Sequence, residues 1–288
     1  MMDRMHPTPS SPKGASLIEL VMVIVVLGIL SAVLGLIIAG PIQGFFETGR
    51  RVALVEEAST ALTQMVRDIR AALPNSIRTT QSGGITALEL LSTLDGVRYR
   101  DGPGGGVTSS ADILTFNAAS SGFNILGHFE NLTLPLTTTA DYLVIYNTGQ
   151  TGANAYDITA GPPNVITPAG TTLSISAGTD EDHVSISPAF RFKYPSPYDR
   201  VYLVGGPVSW FCDPAAGTLR RESGYAISAT EPVSATAGHL AANQVSACTF
   251  TYTPGTAERA GLVTLSLTLT SDAESVTLFR EVQVINAP

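Results

Sequence analysis

The chain has 288 residues, a net charge of −8 and only 14% charged residues. A nucleic-acid partner needs a basic face, so this balance excludes nucleic acid as an expected partner. The two cysteines and four histidines leave little room for a metal cluster.

In chain order, residues 1–14 are short and polar, with Arg4 and Lys13 against Asp3. From Leu20 to Ala39 there are twenty residues without a charge, enough to cross a bilayer as a helix. Glu19 stands at the edge of this run, five residues after Gly14, which itself follows Lys13. Charged groups at membrane depth are costly and mark function. A secretory signal would have a shorter core and a small-residue cleavage site, and Ser31-Ala32-Val33-Leu34 is a poor one. A plain signal anchor fits the length but gives Gly14 and Glu19 no role. The segment resembles a type IV prepilin signal, whose pattern is a basic residue, Gly, the cut, then an apolar helix with Glu as its fifth residue. Lys13, Gly14, Glu19 and the stretch Leu17-Ile18-Glu19-Leu20 all match.

The resemblance implies that a prepilin peptidase cuts after Gly14 and methylates the new amine of Ala15. Many family members carry Phe where this chain has Ala15. It also implies that Glu19 pairs with the N-terminal amine of a neighbouring subunit, since an unpaired buried carboxylate is destabilising and such a pair selects register more than it adds stability. The plainer alternative is a headgroup-level Glu with no partner. The slight basic excess of residues 1–14 keeps that end cytoplasmic. The expected location is the inner membrane, single-pass, with the C-terminal domain in the periplasm. Loss of residues 1–14 would turn 16 basic and 24 acidic residues into 14 and 23, a net charge of −9.

Gly40-Pro41 is expected to kink or interrupt the helix, because proline removes a donor and clashes with the preceding turn. Beyond it Val52, Val55, Leu62, Met65, Val66, Ile69 and Leu73 recur mostly at spacings of three and four, which predicts an amphipathic helix that Pro74-Asn75 ends. After Pro74 the chain becomes rich in Thr, Ser, Gly and Val. Strands are expected at Ala87–Leu91, Val97–Arg100, Ile113–Asn117, Tyr142–Tyr146, Val184–Ile186, Phe190–Tyr194, Val201–Cys212, Val245–Tyr252, Leu262–Thr270 and Val276–Ile285. Asp95-Gly96 is a tight-turn signal between the first two, and the last three read as an antiparallel meander. The expected fold is α+β and pilin-like. A long N-terminal helix, part membrane and part amphipathic (15–73), packs on a β-rich antiparallel domain (74–288) of two sheets, after a leader of residues 1–14.

Signals for chemistry are sparse. Gly102–Gly106 lacks the Lys-Ser or Lys-Thr and following helix of a phosphate loop, so a flexible loop is expected. Thr148–Gly170 reads as a long surface loop. His128, His183 and His239 have no metal-ligand spacing, and there is no Gly-x-Ser-x-Gly elbow. Asp180-Glu181-Asp182 could contribute to a calcium site, although such acidic tips are usually solvated. No enzyme activity, metal or cofactor is expected.

Two further stretches carry a closer resemblance. Tyr202–Ile227 (YLVGGPVSWFCDPAAGTLRRESGYAI) and Val245–Pro288 are similar to the tails of MshO-type minor pilins of the mannose-sensitive haemagglutinin (MSHA) pilus, and Gly40–Arg78 is similar as well. Nothing between about 102 and 188 matches. A more distant resemblance is to the J-type minor pseudopilins of type II secretion. The resemblance implies a low-copy subunit that helps initiate or cap a filament. Its partners would be the prepilin peptidase, other minor and major pilins, the inner-membrane assembly platform and the membrane itself. A secretion pseudopilin and a pilus-tip adhesin or binding module are the alternatives. In an oxidising periplasm Cys212 and Cys248 are expected to form a disulfide; two separate buried thiols are the alternative.

Overall fold

A computed structural model of the chain describes residue 14 and residues 16–103, 112–234, 238–255, 259–272 and 274–284, with the side chains of 36–43, 45 and 46 left aside. The leader residues 1–13, Ala15 and Gly104–Gly106 lie outside the described residues. The fold is α+β. One helix, α1 (Leu17–Arg70), precedes strands β1 (Arg78–Ser82), β2 (Ile85–Arg98), β3 (Ser120–Asn124), β4 (Leu136–Thr138), β5 (Tyr142–Val144), β6 (Thr172–Ser176), β7 (His183–Phe190), β8 (Arg200–Asp213), β9 (Thr218–Ser223), β10 (His239–Asn243), β11 (Val245–Thr253), β12 (Gly261–Ser271) and β13 (Glu274–Val284). The chain divides into two compact units, Met1–Val52 and Ala53–Pro288.

In the first unit α1 is apolar on all sides from Leu20 to Gly35. Its large side chains from Leu17 to Leu34 are all exposed. The helix runs through Gly40-Pro41 without interruption, so the break that Pro41 predicts does not occur. A proline removes one hydrogen bond, and an already nucleated helix propagates across that loss.

In the second unit the remaining turns of α1 bury one stripe. Leu54, Ala58, Ala61, Leu62, Met65 and Ile69 lie in one core with Leu88, Leu90, Val208, Trp210 and the inward side chains of β11 to β13. The helix ends at Arg70, three residues before the expected stop at Leu73. There the backbone leaves the helix to pair with β2: Leu73 N–H donates to Leu91 (2.8 Å), and Thr93 N–H donates to Ala71 (2.8 Å).

The strands form three sheets where two are expected. A six-stranded sheet has the order β1-β2-β8-β9-β10, with β5 also on β8. A three-stranded sheet is β11-β12-β13, and a four-stranded sheet is β3-β7-β6-β4. The four-stranded sheet packs Phe123, Leu173, Ile175, Val184 and Ile186 into a second core together with Leu143 of β5 and Val201 and Leu203 of β8, which accounts for the third layer. The C-terminal meander occurs as read from the sequence, with β12 paired to both neighbours.

Asp95-Gly96 is not a turn. β2 runs straight through it, with register shifts against β8 between Leu91 and Asp95. The glycine is needed because the Tyr202 ring lies 2.9 Å from where a Cβ would stand. Asp95 closes the irregularity by accepting from the backbone N–H groups of Gly96 (2.8 Å) and Asn131 (2.9 Å). The expected strand Ile113–Asn117 is irregular instead, and Leu114 is buried there. Thr148–Gly170 lacks strands but is not simply a surface loop. Ala155, Tyr156, Val165 and Ile166 are buried, with Ala155, Tyr156 and Ile166 packed against Leu91 and Val204.

Candidate functional site

At the N-terminal end, Gly14 is exposed and a Cβ on it would meet nothing within 4 Å. The folded chain therefore has no steric need for glycine at this position. The Ser16 carbonyl accepts from the N–H groups of Glu19 (3.0 Å) and Leu20 (3.1 Å), which starts α1. Glu19 lies in the first turn, where the helix dipole favours a negative charge. Its side chain is exposed. Residues Leu17–Gly35 form a span long and apolar enough to cross a membrane by length and composition, and none of it is buried within the molecule.

Cys212 on β8 and Cys248 on β11 form a disulfide, with a Cα–Cα distance of 6.5 Å. It joins the six-stranded sheet to the three-stranded one. The intervening segment, poor in strand signals, in fact supplies β9 and β10. Beside the bridge, Trp210 donates from Nε1 to Asp68 of α1 (2.9 Å), and Arg221 of β9 holds both oxygens of the same carboxylate at 2.7 and 3.2 Å. Asp68 thus ties the helix to two neighbouring strands.

In the acidic run Asp180 is exposed, while Glu181 and Asp182 are engaged inside the protein. Glu181 forms an ion pair with Arg100, and hydrogen bonding from that guanidinium lowers its pKa. Burial alone would raise Asp182, but hydrogen bonds from His128 and the N–H groups of Phe129 and Gly178 outweigh it, so its pKa is lowered. Asp182 pins the Phe129 N–H at 2.9 Å and His128 at 2.8 Å. These carboxylates fasten loops. Among the described residues no three His, Cys, Asp or Glu are grouped to hold a metal ion.

A cluster that the sequence reading did not find lies on β2. Glu89 is fully buried and stands opposite Arg78 in the β1–β2 register. Arg78 pairs with it through Nε and Nη2. The same guanidinium donates to the carbonyls of Ser228 and Ala229, both at 2.8 Å, and lies 3.6 Å from the centroid of the Tyr156 ring. Tyr225 donates to Glu89 (2.8 Å) and bonds to Ser209. Burial raises the pKa of Glu89, and Arg78 opposes the shift. Glu231 is pushed up to about 7 by burial, and its Oε1 is buried without a hydrogen-bond partner. The available signal was one carboxylate inside the apolar run Ile85–Leu91 (ITALELL), where an outward-facing charge is unexpected on a sheet covered on both faces.

No family model, curated protein or solved structure matches the chain. A reading of its function therefore rests on its own residues.

Proposed function

We propose that the chain is a minor, pilin-like subunit that takes part in the initiation or tip complex of an MSHA-type type IV pilus. The observation that carries this reading is Glu19 in the first turn of a helix whose following residues, to Gly35, are apolar and unburied. So large an apolar surface must be covered by lipid or by other apolar helices. A carboxylate at the same end is costly in lipid and gains a purpose when a neighbouring subunit's N-terminal amine meets it. Lys13-Gly14 supplies the cut that would create that amine at Ala15. Gly14 has no packing role, which supports a requirement imposed by a processing enzyme.

On this reading the chain is inserted by α1 with the β-rich domain, 74–288, in the periplasm. It is processed by the prepilin peptidase and joins other minor and major pilins at the inner-membrane assembly platform. It performs no catalysis itself. Mass spectrometry of the full chain from cells with an active prepilin peptidase tests it: the expected N-terminus is N-methyl-Ala15, and an unprocessed N-terminus would overturn the reading. Loss of piliation, against loss of protein secretion, in a deletion strain separates the pilus from a type II secretion pseudopilus.

A further inference from the structure

The assembly role makes no use of the buried cluster around Arg78. On the face of the six-stranded sheet opposite Leu88 and Trp210, four residues stand in one cross-strand row: Arg78 on β1, Glu89 on β2, Ser209 on β8 and Glu222 on β9. Residues 225–234 cross this row as a strap. The strap is held by the Tyr225 hydroxyl on Glu89 and Ser209, by the Ser228 and Ala229 carbonyls on Arg78, and by buried Ile227. A cavity of about 160 Å³ lined by Phe211, Glu222, Tyr225, Pro232 and Ser234 lies beside it.

The charges in this cluster do not balance. Arg78 spends its donors on Glu89 and the two strap carbonyls, and its face on Tyr156. Glu231 comes from the strap toward a cation already committed, with Oε1 buried and unpartnered, and it feels the Glu89 carboxylate. An ionised carboxylate in that position has only the shared Arg78 charge to offset its burial, whereas a protonated one is neutral. We propose that Glu231 is a proton-operated latch that keeps the strap closed on the β2–β8 face when protonated and releases it when ionised.

The sign follows from the direction in which the Glu231 proton is held. Burial raises its pKa from the ordinary 4.5 to about 7, so the closed strap binds the proton more tightly than an open one. The contribution to closure is complete below about 4.5 and is lost as pH rises through about 7. Glu231 feels Arg78 on β1 and Glu89 on β2 and acts in turn on Tyr156 beneath Arg78, while Tyr225 of the strap bonds to Glu89. Both tyrosines are pushed well above their usual range, chiefly by burial, and stay neutral over this interval. Glu89 stays bound by Arg78 and Tyr225.

The test is amide hydrogen exchange on the full chain in detergent micelles at pH 5 and pH 8. Protection of the amides in 225–234 is compared with that in β12 at each pH. After allowance for the partial solvent exposure of Glu231, the strap should lose protection by on the order of tenfold relative to β12 at the higher pH. In Glu231→Gln and in Glu231→Ala the strap's relative protection should not change with pH. A wild-type strap whose relative protection is equal at the two pH values would overturn the latch. So would an equal pH dependence in either variant.

Discussion

Residues 17–35 and 53–70 belong to one helix, yet their side chains meet opposite surroundings. In the first stretch Leu, Ile and Val occupy every face and all are exposed. In the second a single stripe, Leu54, Ala58, Ala61, Leu62, Met65 and Ile69, is buried and the other faces carry Glu57, Arg67 and Asp68. The difference lies in what each stretch is built to touch. A stripe of period 3.6 fits one packed core. An apolar surface all round is made for a surrounding that is apolar all round, and only lipid or a bundle of similar helices supplies it.

Experiments on the first stretch and the residues just before it should give the largest effects. Gly14→Val should leave only precursor, an all-or-none change on an immunoblot, because the peptidase must fit the backbone at the cut while the fold itself tolerates a Cβ there. Normal maturation of this variant would remove the processing reading. Glu19→Leu should insert in the membrane as well as the wild type, since a neutral residue inserts more easily, but should fail to co-purify with partner pilins. Retained co-purification would mean that Glu19 has no assembly role.

The second stretch and the strands it packs on should respond in stability instead. Reducing the Cys212–Cys248 bridge, which spans 36 positions, should lower the stability of the β-rich unit by about 4 kcal/mol on the chain-entropy account without changing its circular dichroism spectrum. Leu62→Ala should cost roughly 2–5 kcal/mol, as buried leucines do, while Leu27→Ala should leave the same unfolding midpoint unmoved. Equal shifts from the two leucines would abolish the contrast between the stretches. Asp68→Ala should cost about 2 kcal/mol, because it strands the Trp210 N–H and the Arg221 guanidinium.

The parts legible in the sequence are those with a long apolar pattern. β12 alternates buried and half-buried positions from Gly261 to Leu269, and β8, β11 and β13 are long runs rich in Val, Leu, Tyr and Phe. The missed strands have no such pattern. β1 is Arg-Thr-Thr-Gln-Ser and β3 is Ser-Ser-Gly-Phe-Asn, so they are strands only because a neighbour offers an edge. Asp95-Gly96 misled because a dipeptide that suits a tight turn also suits a bulge next to an aromatic ring. The disulfide was legible from an even cysteine count. The Glu89 cluster was not, since Arg78 and Glu89 meet Tyr225 and Glu231 across more than 130 positions of chain. The acidic run misled for the same reason: Arg100, which claims Glu181, lies 81 residues away.

The disulfide also sets how far the molecule can be drawn out under load. A pull on the C-terminal end would peel β13 and then β12 from β11, but the covalent link at Cys248 halts the tear before it reaches β10 and β9. Breaking the link would release the 36 positions between the two sulfurs, roughly 120 Å of added contour at about 3.4 Å per residue. With the link intact a pull on the C-terminal end cannot extend the segment between Cys212 and Cys248, and a single-molecule stretching trace should lengthen by that step when a reductant is added.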